Sequence, residues 1–157
     1  MQLTDNFWLR EFKVSADFPE LAEKIQFSGY DKQVLRLLCD SLLQPVRTHF
    51  GQLDIISGKR SLELNTAVGG NENSKHMIAA AADFTIPNVG THAGEQKLNR
   101  IFQWITDEYN TQYRTCIYYQ KKKFIHVSVN LPGIEYKHVA RIIEREKKTK
   151  GVLRRKD

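Results

Sequence analysis

The sequence predicts an α+β domain in which a small antiparallel sheet is flanked by helices. Segments with helical apolar spacing come early in the chain, whereas segments that alternate apolar and polar residues cluster later. No repeated strand–helix–strand rhythm joins them, so a parallel sheet with crossover helices is not expected. A chain of 157 residues, 41% of them hydrophobic, is long enough to bury one core.

Four helices are predicted from apolar spacing and from residues that begin or end helices. They cover residues 18–25, 31–50, 93–109 and 136–147. Gly51 is expected to end the helix predicted over residues 31–50. Pro45 predicts a kink there, because proline lacks the N–H that a helix interior needs.

Four strands are predicted at residues 53–57, 79–86, 113–119 and 124–130, the last two as a hairpin with a lysine-rich turn. Residues 58–75, between the first two strands, are predicted as a long polar loop that contains Gly69 and Gly70. A loop of this length in a compact domain is usually functional or disordered, so its neighbours are candidates for a site.

Composition excludes several classes of protein. No apolar run approaches the roughly 18 residues of a membrane span, and residues 1–9 show no basic start followed by an apolar stretch. The two cysteines, Cys39 and Cys116, are too few for a disulfide framework or a zinc finger, so a reducing compartment is expected.

The positive charge is concentrated at the C-terminus. The formal charge is +6, and residues 141–157 contribute +5 of it. We therefore divide the chain into a domain over residues 1–147 and a basic tail over residues 148–157. Such a tail can bind nucleic acid or another anionic polymer, although a solvated, frayed helix end has the same composition. It has no aromatic residue that could stack on single-stranded nucleic acid.

His76 and Asp83, near the start of the second predicted strand, are the first candidate metal ligands. Seven fully extended steps would separate them by roughly 23 Å, so the chain has to turn after His76 if both are to bind one ion. In the strand, Asp83 shares a face with Ala79 and Ala81, whose small side chains leave room for a ligand.

His126 is the third candidate, because strand alternation turns it, together with Ser128, away from its apolar neighbours and toward the open face. Two imidazoles and one carboxylate form the ligand set of a catalytic zinc with an open fourth position. Spacing alone leaves the ordinary alternative open, since any of the five histidines can be a surface or a core residue. For His92 and His138 we expect the surface.

These residues lie in motifs that resemble the zinc D-alanyl-D-alanine carboxypeptidase family, a peptidase group that includes phage L-alanyl-D-glutamate endolysins. The family pattern Ser-x-His-x-x-Gly-x-Ala-x-Asp-[Phe/Ile] is matched by Ser74, His76, Ala81, Asp83 and Phe84, and a later aromatic-[Ile/Val]-His-Val-Ser by residues 124–128. Residues 57–61, 64–65 and 69–70 are similar to its Ser-Gly-Tyr-Arg-Ser, Leu-Asn and Gly-Gly segments, and residues 43–47 to its first long helix. The resemblance spans roughly residues 7–130, with the motifs in the right order.

The resemblance implies a Hedgehog/DD-peptidase-like fold and a Zn²⁺ ion with His76, Asp83 and His126 as its ligands. It gives Arg60 a role in binding the substrate carboxylate or in steadying the tetrahedral oxyanion, since a guanidinium can do either through paired hydrogen bonds. Ser74 is expected near the substrate, where it braces the loop.

The chain departs from the family pattern at three positions. The family glycine is Ala79, which fits if its backbone is not at positive φ, and the family tyrosine before Arg60 is Lys59, expected on the surface. The third is the acidic general base, whose position aligns with Gln120, or with Tyr119 after a shift of one residue. Glutamine cannot accept the proton, and loss of a general base commonly costs about 10²–10⁴ in rate. The acids from elsewhere that could replace it are Glu63, Glu72 and Glu135.

The expected function is that of a zinc-dependent peptidase that hydrolyses peptidoglycan stem peptides. The layout suits a phage-encoded lysis or virion protein that acts on the cell wall, from the host cytoplasm or from the virion, with a tail that adheres weakly to anionic polymers. Gln120 favours a rival, a catalytically inactive binding or virion structural module of the same fold. A third hypothesis, a nucleic-acid binder driven by the tail, predicts steeply salt-dependent binding to DNA. The bond cut and the oligomeric state stay open.

Overall fold

The computed structural model describes residues 1–108, 112–134, 136–144 and 153–155, with Glu108 and residues 153–155 described by their backbone alone. Within these residues the chain forms five α-helices, a six-stranded sheet and a two-stranded sheet, which confirms the α+β class. The helices are α1 (Pro19–Glu23), α2 (Gly29–Leu38), α3 (Gln44–Phe50), α4 (Leu62–Ala67) and α5 (His92–Gln103). The strands are β1 (Gln2–Thr4), β2 (Phe7–Trp8), β3 (Asp54–Ser57), β4 (Ala81–Thr85), β5 (Tyr113–Tyr119), β6 (Phe124–Val129), β7 (Val139–Ile143) and β8 (Leu153–Arg155).

The large sheet has the strand order β3-β4-β6-β5-β7-β8 over the described ranges. Its pairs are antiparallel except for β5 and β7, which run parallel. The sheet is therefore mixed, where a wholly antiparallel one was expected. Strands β1 and β2 form the separate antiparallel pair at the N-terminus.

The parallel strand β7 lies in a segment that was predicted to be helical, and that prediction is wrong. Helical spacing of apolar residues predicted a helix over residues 136–147, but residues Val139–Ile143 form strand β7. The valine and the two isoleucines of this segment are β-branched, and such residues favour a strand. Residues 145–152 lie outside the described part of the chain, so the boundary between a domain to residue 147 and a tail from residue 148 stays a prediction.

The predicted helix over residues 31–50 is observed as α2 and α3, joined by a π-helical turn (Cys39–Leu43). It begins earlier than expected, because Ser28 Oγ accepts a hydrogen bond from the Asp31 N–H at 3.0 Å and the Asp31 carboxylate accepts one from the Ser28 N–H at 2.9 Å. The irregular turn lies just before Pro45, which cannot donate to the carbonyl four positions earlier. No helix in the described ranges combines the length and the apolar character that a bilayer crossing requires.

The predicted loop over residues 58–75 contains helix α4, which was not expected from the sequence. Ser61 begins the helix by accepting a hydrogen bond from the Leu64 N–H at 3.1 Å. Asn65 Nδ2 then donates to the carbonyl of Asn71 at 2.9 Å, and a Cβ at Gly70 would lie 2.1 Å from Asn65 Oδ1. A larger residue would displace the Asn65 side chain, so Gly70 allows the segment to fold tightly against α4.

One face of the large sheet packs on the helices, and the other holds the polar residues of the same strands. Phe102 of α5 contacts Tyr118 of β5 with ring centroids 5.9 Å apart. The apolar residues that alternate along the central strands fill this core: Phe84, Cys116, Tyr118, Ile125 and Val127. The opposite face carries Asp83 and His126, whose positions follow from the same alternation.

The two histidines expected on the surface have different outcomes. His92 is exposed at the start of α5, as expected. The expectation for His138 is wrong, since only 5% of the residue is exposed and its ring packs edge-on against Tyr113, with centroids 4.6 Å apart.

Candidate metal centre

The pairing of β4 with β6 brings Asp83 directly opposite His126. Directly opposed residues of an antiparallel pair lie on the same face, with their Cβ atoms about 5 Å apart. Asp83 Oδ1 lies 2.7 Å from His126 Nδ1. Two residues that are far apart in the chain are therefore placed together by strand register alone.

His76 reaches the same point because the chain turns where the spacing required it to. Residues Lys75–Ile78 form a 3-10 turn, and Ser74 Oγ accepts a hydrogen bond from the His76 N–H at 3.2 Å at its start. Ala79 ends the turn with φ 60 and ψ 18, in the left-handed region. The condition expected for alanine at this family glycine position is thus not met, and Ala79 adopts a conformation that costs an L-residue roughly 1–2 kcal/mol.

The hydrogen bond at the other side of the His76 ring fixes its tautomer. His76 Nδ1 lies 2.7 Å from the carbonyl oxygen of Gly58, which can only accept, so Nδ1 carries the proton. A Cβ at Gly58 would lie 2.5 Å from the backbone of Phe12, so glycine is required for this carbonyl to sit where it does. His76 Nε2 is left with its lone pair directed at the centre.

His76 Nε2 is the observation that tests whether the centre fits a metal. It is buried, lies 3.3 Å from Asp83 Oδ1 and makes no hydrogen bond among the described residues. An unsatisfied buried polar atom costs about 1–3 kcal/mol unless a ligand occupies it. One ligand atom from each of His76, Asp83 and His126 lies within 4.8 Å of the others, and this donor set suits zinc. The three residues fit the ion.

The electrostatics of Asp83 favour the anionic form that a metal ligand needs. Only 8% of the residue is exposed, and burial by itself raises the pKa of the carboxyl. The contacts with His76 and His126 outweigh burial and hold the pKa well below its usual range. Asp83 therefore remains a carboxylate under all ordinary conditions.

Arg60 is held next to the three residues by neutral partners. Its Nη2 lies 3.9 Å from Asp83 Oδ2 and donates to Ser57 Oγ at 3.3 Å, while Nη1 donates to Asn65 Oδ1 at 3.2 Å. Burial lowers the pKa of the guanidinium and Asp83 opposes this, but an arginine stays charged. Its predicted roles toward a substrate carboxylate or oxyanion stay predictions, as does the role of Ser74 near the substrate.

The candidates for the general base lie in different places. By the alternation of β5, Tyr119 is on the face of Ile117, the residue opposite His126. Gln120 follows the end of the strand, where continued alternation would turn it to the other face. Burial and Asp83 raise the pKa of Tyr119, although Arg60 and Arg141 act against them. Glu63 and Glu72 are exposed, and Glu135 is outside the described residues. The role predicted for Gln120 stays a prediction.

Lys59 is not on the surface, which corrects the expectation for this position. Its side chain is only 15% exposed, and Nζ lies 3.2 Å from Asp31 Oδ1 and donates to the carbonyl oxygen of Met77 at 2.5 Å. The ammonium thereby ties the turn that contains His76 to the first turn of α2. No local sequence pattern indicates this structural role, because the partner Asp31 is 28 residues away.

We expect Lys59→Met to lower the free energy of unfolding by about 2–3 kcal/mol, because it leaves Asp31 largely buried without its cation. The double variant Lys59→Met/Asp31→Asn should recover part of this loss. Urea denaturation measures both. Glu95→Gln is the matched control, because it breaks the solvent-screened 2.8 Å pair with Lys123, for which a much smaller change is expected. An equal loss in Lys59→Met and Glu95→Gln would contradict the structural role of Lys59.

The site consists of a buried carboxylate between two imidazoles, one of which has an unsatisfied nitrogen, and a guanidinium lies beside it. Zinc-dependent hydrolases have centres of this kind. The model of the family described as Peptidase M15 matches residues 14–128. The chain belongs to this family of zinc metallopeptidases of the D-Ala-D-Ala carboxypeptidase type, which confirms the resemblance seen in the sequence. No curated protein matches the chain.

Proposed function

We propose that this protein is a zinc-dependent peptidase that hydrolyses the stem peptides of peptidoglycan. The observation that supports it most strongly is the convergence of His76, Asp83 and His126, with the free Nε2 of His76, in a member of the M15 family. The finer parts of the proposal, the peptidoglycan substrate and a phage-encoded lysis or virion protein that acts on the cell wall, rest on the motifs described above.

Zn²⁺ would be held by His76 Nε2, the Asp83 carboxylate and an imidazole nitrogen of His126. Bound there, the ion supplies Lewis-acid chemistry, which polarises a carbonyl and lowers the pKa of a water molecule toward roughly 7. The chain fixes the ligands in advance: the Gly58 carbonyl sets the His76 tautomer, and the hydrogen bond with His126 favours the anionic form of Asp83.

Arg60 would bind the anionic end of the substrate or the oxyanion that forms at the scissile carbonyl. Ser57 and Asn65 hold the guanidinium in place without neutralising it, and Asp83 Oδ2, at 3.9 Å, is beyond hydrogen-bond distance, so the charge is only partly offset. Because this donor is already in position, it needs no reorganisation when negative charge develops.

A second candidate function is a binding or virion structural module without catalysis. The observation that favours it is the lack of a second acid: in the described part of the chain, no carboxylate other than Asp83 forms an ion pair or hydrogen bond with the ligands or with Arg60. Tyr119 stays protonated at neutral pH, because its raised pKa makes the phenol a hydrogen-bond donor and not a base. We expect an active enzyme to be slow, by about 10²–10⁴ relative to one with a general base.

Metal analysis combined with digestion of purified peptidoglycan tests the proposal. We expect one zinc per chain after dialysis and a slow release of peptides, whose masses distinguish removal of a terminal D-alanine from cleavage at an internal alanyl-glutamate bond. Zinc without cleavage would favour the binding module. A folded protein that takes up no zinc would remove both the metal centre and the peptidase. DNA binding that is lost with residues 148–157 would support the third hypothesis instead.

A further inference from the structure

A line of directly opposed residues crosses the face of the sheet that holds the metal centre. From β3 to β7 the register pairs, in turn, Ser57, Asp83, His126, Ile117 and Arg141. Opposed residues in neighbouring strands point to the same face. Arg60 rests against Ser57 at one end of this line, and Arg141 forms the other end, so the centre lies between two arginines.

Arg141, unlike Arg60 and Lys59, has no anionic partner among the described residues. Arg60 lies 3.9 Å from Asp83, and Lys59 lies 3.2 Å from Asp31. Among the residues that the structure describes, no carboxylate is within ion-pair distance of Arg141, although its side chain is partly removed from water. Binding of an anion would offset the cost of this partial desolvation.

Tyr119 lies next to Arg141 on the same face. Its ring stacks on Phe124, with centroids 4.6 Å apart and planes at 19°, which fixes the direction of the phenol. The hydroxyl makes no hydrogen bond within the described ranges, and it interacts electrostatically with Asp83, Arg60 and Arg141. A donor and a cation that have no hydrogen-bond or ion-pair partner among the described residues therefore lie next to each other.

The strand spacing gives the distance between this pair and the centre. His126 and Arg141 are two strands apart, and neighbouring strands lie about 4.8 Å from each other, so their backbones are separated by about 10 Å. An extended peptide rises about 3.3 Å per residue and covers this distance in about three residues. Half-buried Ile117 lies between them as an apolar floor.

We propose that Arg141 and Tyr119 form a second anion-binding subsite, which takes a carboxylate about three residues from the bond held over the metal centre, on the side opposite Arg60. The subsite rests on the proposed peptidase function and narrows its substrate class to peptides that are acidic on both sides of the scissile bond. Arg141 makes paired hydrogen bonds to the carboxylate, and the Tyr119 hydroxyl donates a third.

Two synthetic peptides test the subsite: acetyl-Ala-Glu-Lys-D-Ala-D-Ala and the same peptide with Gln in place of Glu. Binding to the zinc-loaded protein is measured by calorimetry in the cold, with a mass check for cleavage. A charged hydrogen-bond pair corresponds to an affinity ratio of about 10–100, so we expect the Glu peptide to bind at least tenfold tighter. Arg141→Gln should remove this preference, and Tyr119→Phe should reduce it a few-fold.

Arg100→Gln is the control, because it removes the same charge from an exposed position on α5 and should leave the preference unchanged. If Arg141→Gln does not fold, Arg141→Lys retains the charge without the paired geometry and should lose part of the preference. Equal binding of the two peptides, no binding of either, or an unchanged preference in the Arg141 variants would each overturn the subsite.

A separate readout distinguishes failure of the subsite from failure of the peptidase. Cleavage of both peptides with equal KM would overturn the subsite and leave the peptidase intact. A preference for the Glu peptide that depends on Arg141, in a protein that cleaves neither, would support the subsite and favour the binding module. In an active enzyme Arg141→Gln should raise KM for the Glu peptide about tenfold or more with little change in kcat.

Discussion

Asp83→Asn is expected to weaken zinc binding at least a hundredfold and to abolish hydrolysis. Asparagine keeps the size of the side chain but removes the negative charge between His76 and His126. Loss of a group that merely orients a ligand already costs about 10–100-fold in metal affinity, and loss of a ligand costs more. Competition with a fluorescent zinc chelator measures the affinity, and peptide release measures the activity.

Asp40→Asn is the matched control, because it is the same substitution at a residue outside the candidate centre. Asp40 is exposed in the turn between α2 and α3. This variant should bind zinc like the original protein. The metal-free forms of both variants should have similar unfolding midpoints to the parent, which separates loss of the ligand from loss of the fold. An Asp83→Asn protein that retains one tightly held zinc would contradict the proposed ligand set.

The convergence of His76, Asp83 and His126 was predictable because strand alternation and the family motifs indicate the same three residues. The alternation of Ile125 and Val127 with His126 leaves one register that buries the apolar residues, and a slip by one position would bury the histidine instead. The turn after His76 was required by distance. The structure provides this turn through Ala79 at positive φ, a detail that the alanine side chain itself argues against.

The features that were missed depend on partners distant in sequence. The apolar pattern of residues 139–143 fits a helix as well as a strand. Pairing with the edge of β5 determines that this segment is a strand. The burial of His138 is set by Tyr113, and that of Lys59 by Asp31. Helix α4 was hidden because its six residues include a β-branched threonine and an asparagine, both poor helix formers.

With the Gln peptide, which has no carboxylate for the Arg141 subsite, Tyr119→Glu is expected to raise kcat/KM by at least tenfold, whereas Gln120→Glu is expected to change it less than threefold. The alternation of β5 places residue 119, not residue 120, on the face of His126. A glutamate at position 119 would also interact with Asp83, Arg141 and Arg60, since Tyr119 interacts electrostatically with all three. Repulsion from Asp83 would raise its pKa toward the working pH and Arg60 would keep it ionised, which together suit a general base.

Tyr119→Gln is the control, because it removes the phenol without adding a carboxylate. The ratio of the rates of Tyr119→Glu and Tyr119→Gln isolates the base from any effect on substrate binding, and a new acidic limb in the pH profile of kcat/KM should accompany the gain. If Gln120→Glu gives the larger gain, the residue after β5 must turn back into the site, and the alignment of Gln120 with the family glutamate would be the correct one. If neither variant raises kcat/KM, the missing general base does not limit the rate of hydrolysis, and this prediction is wrong.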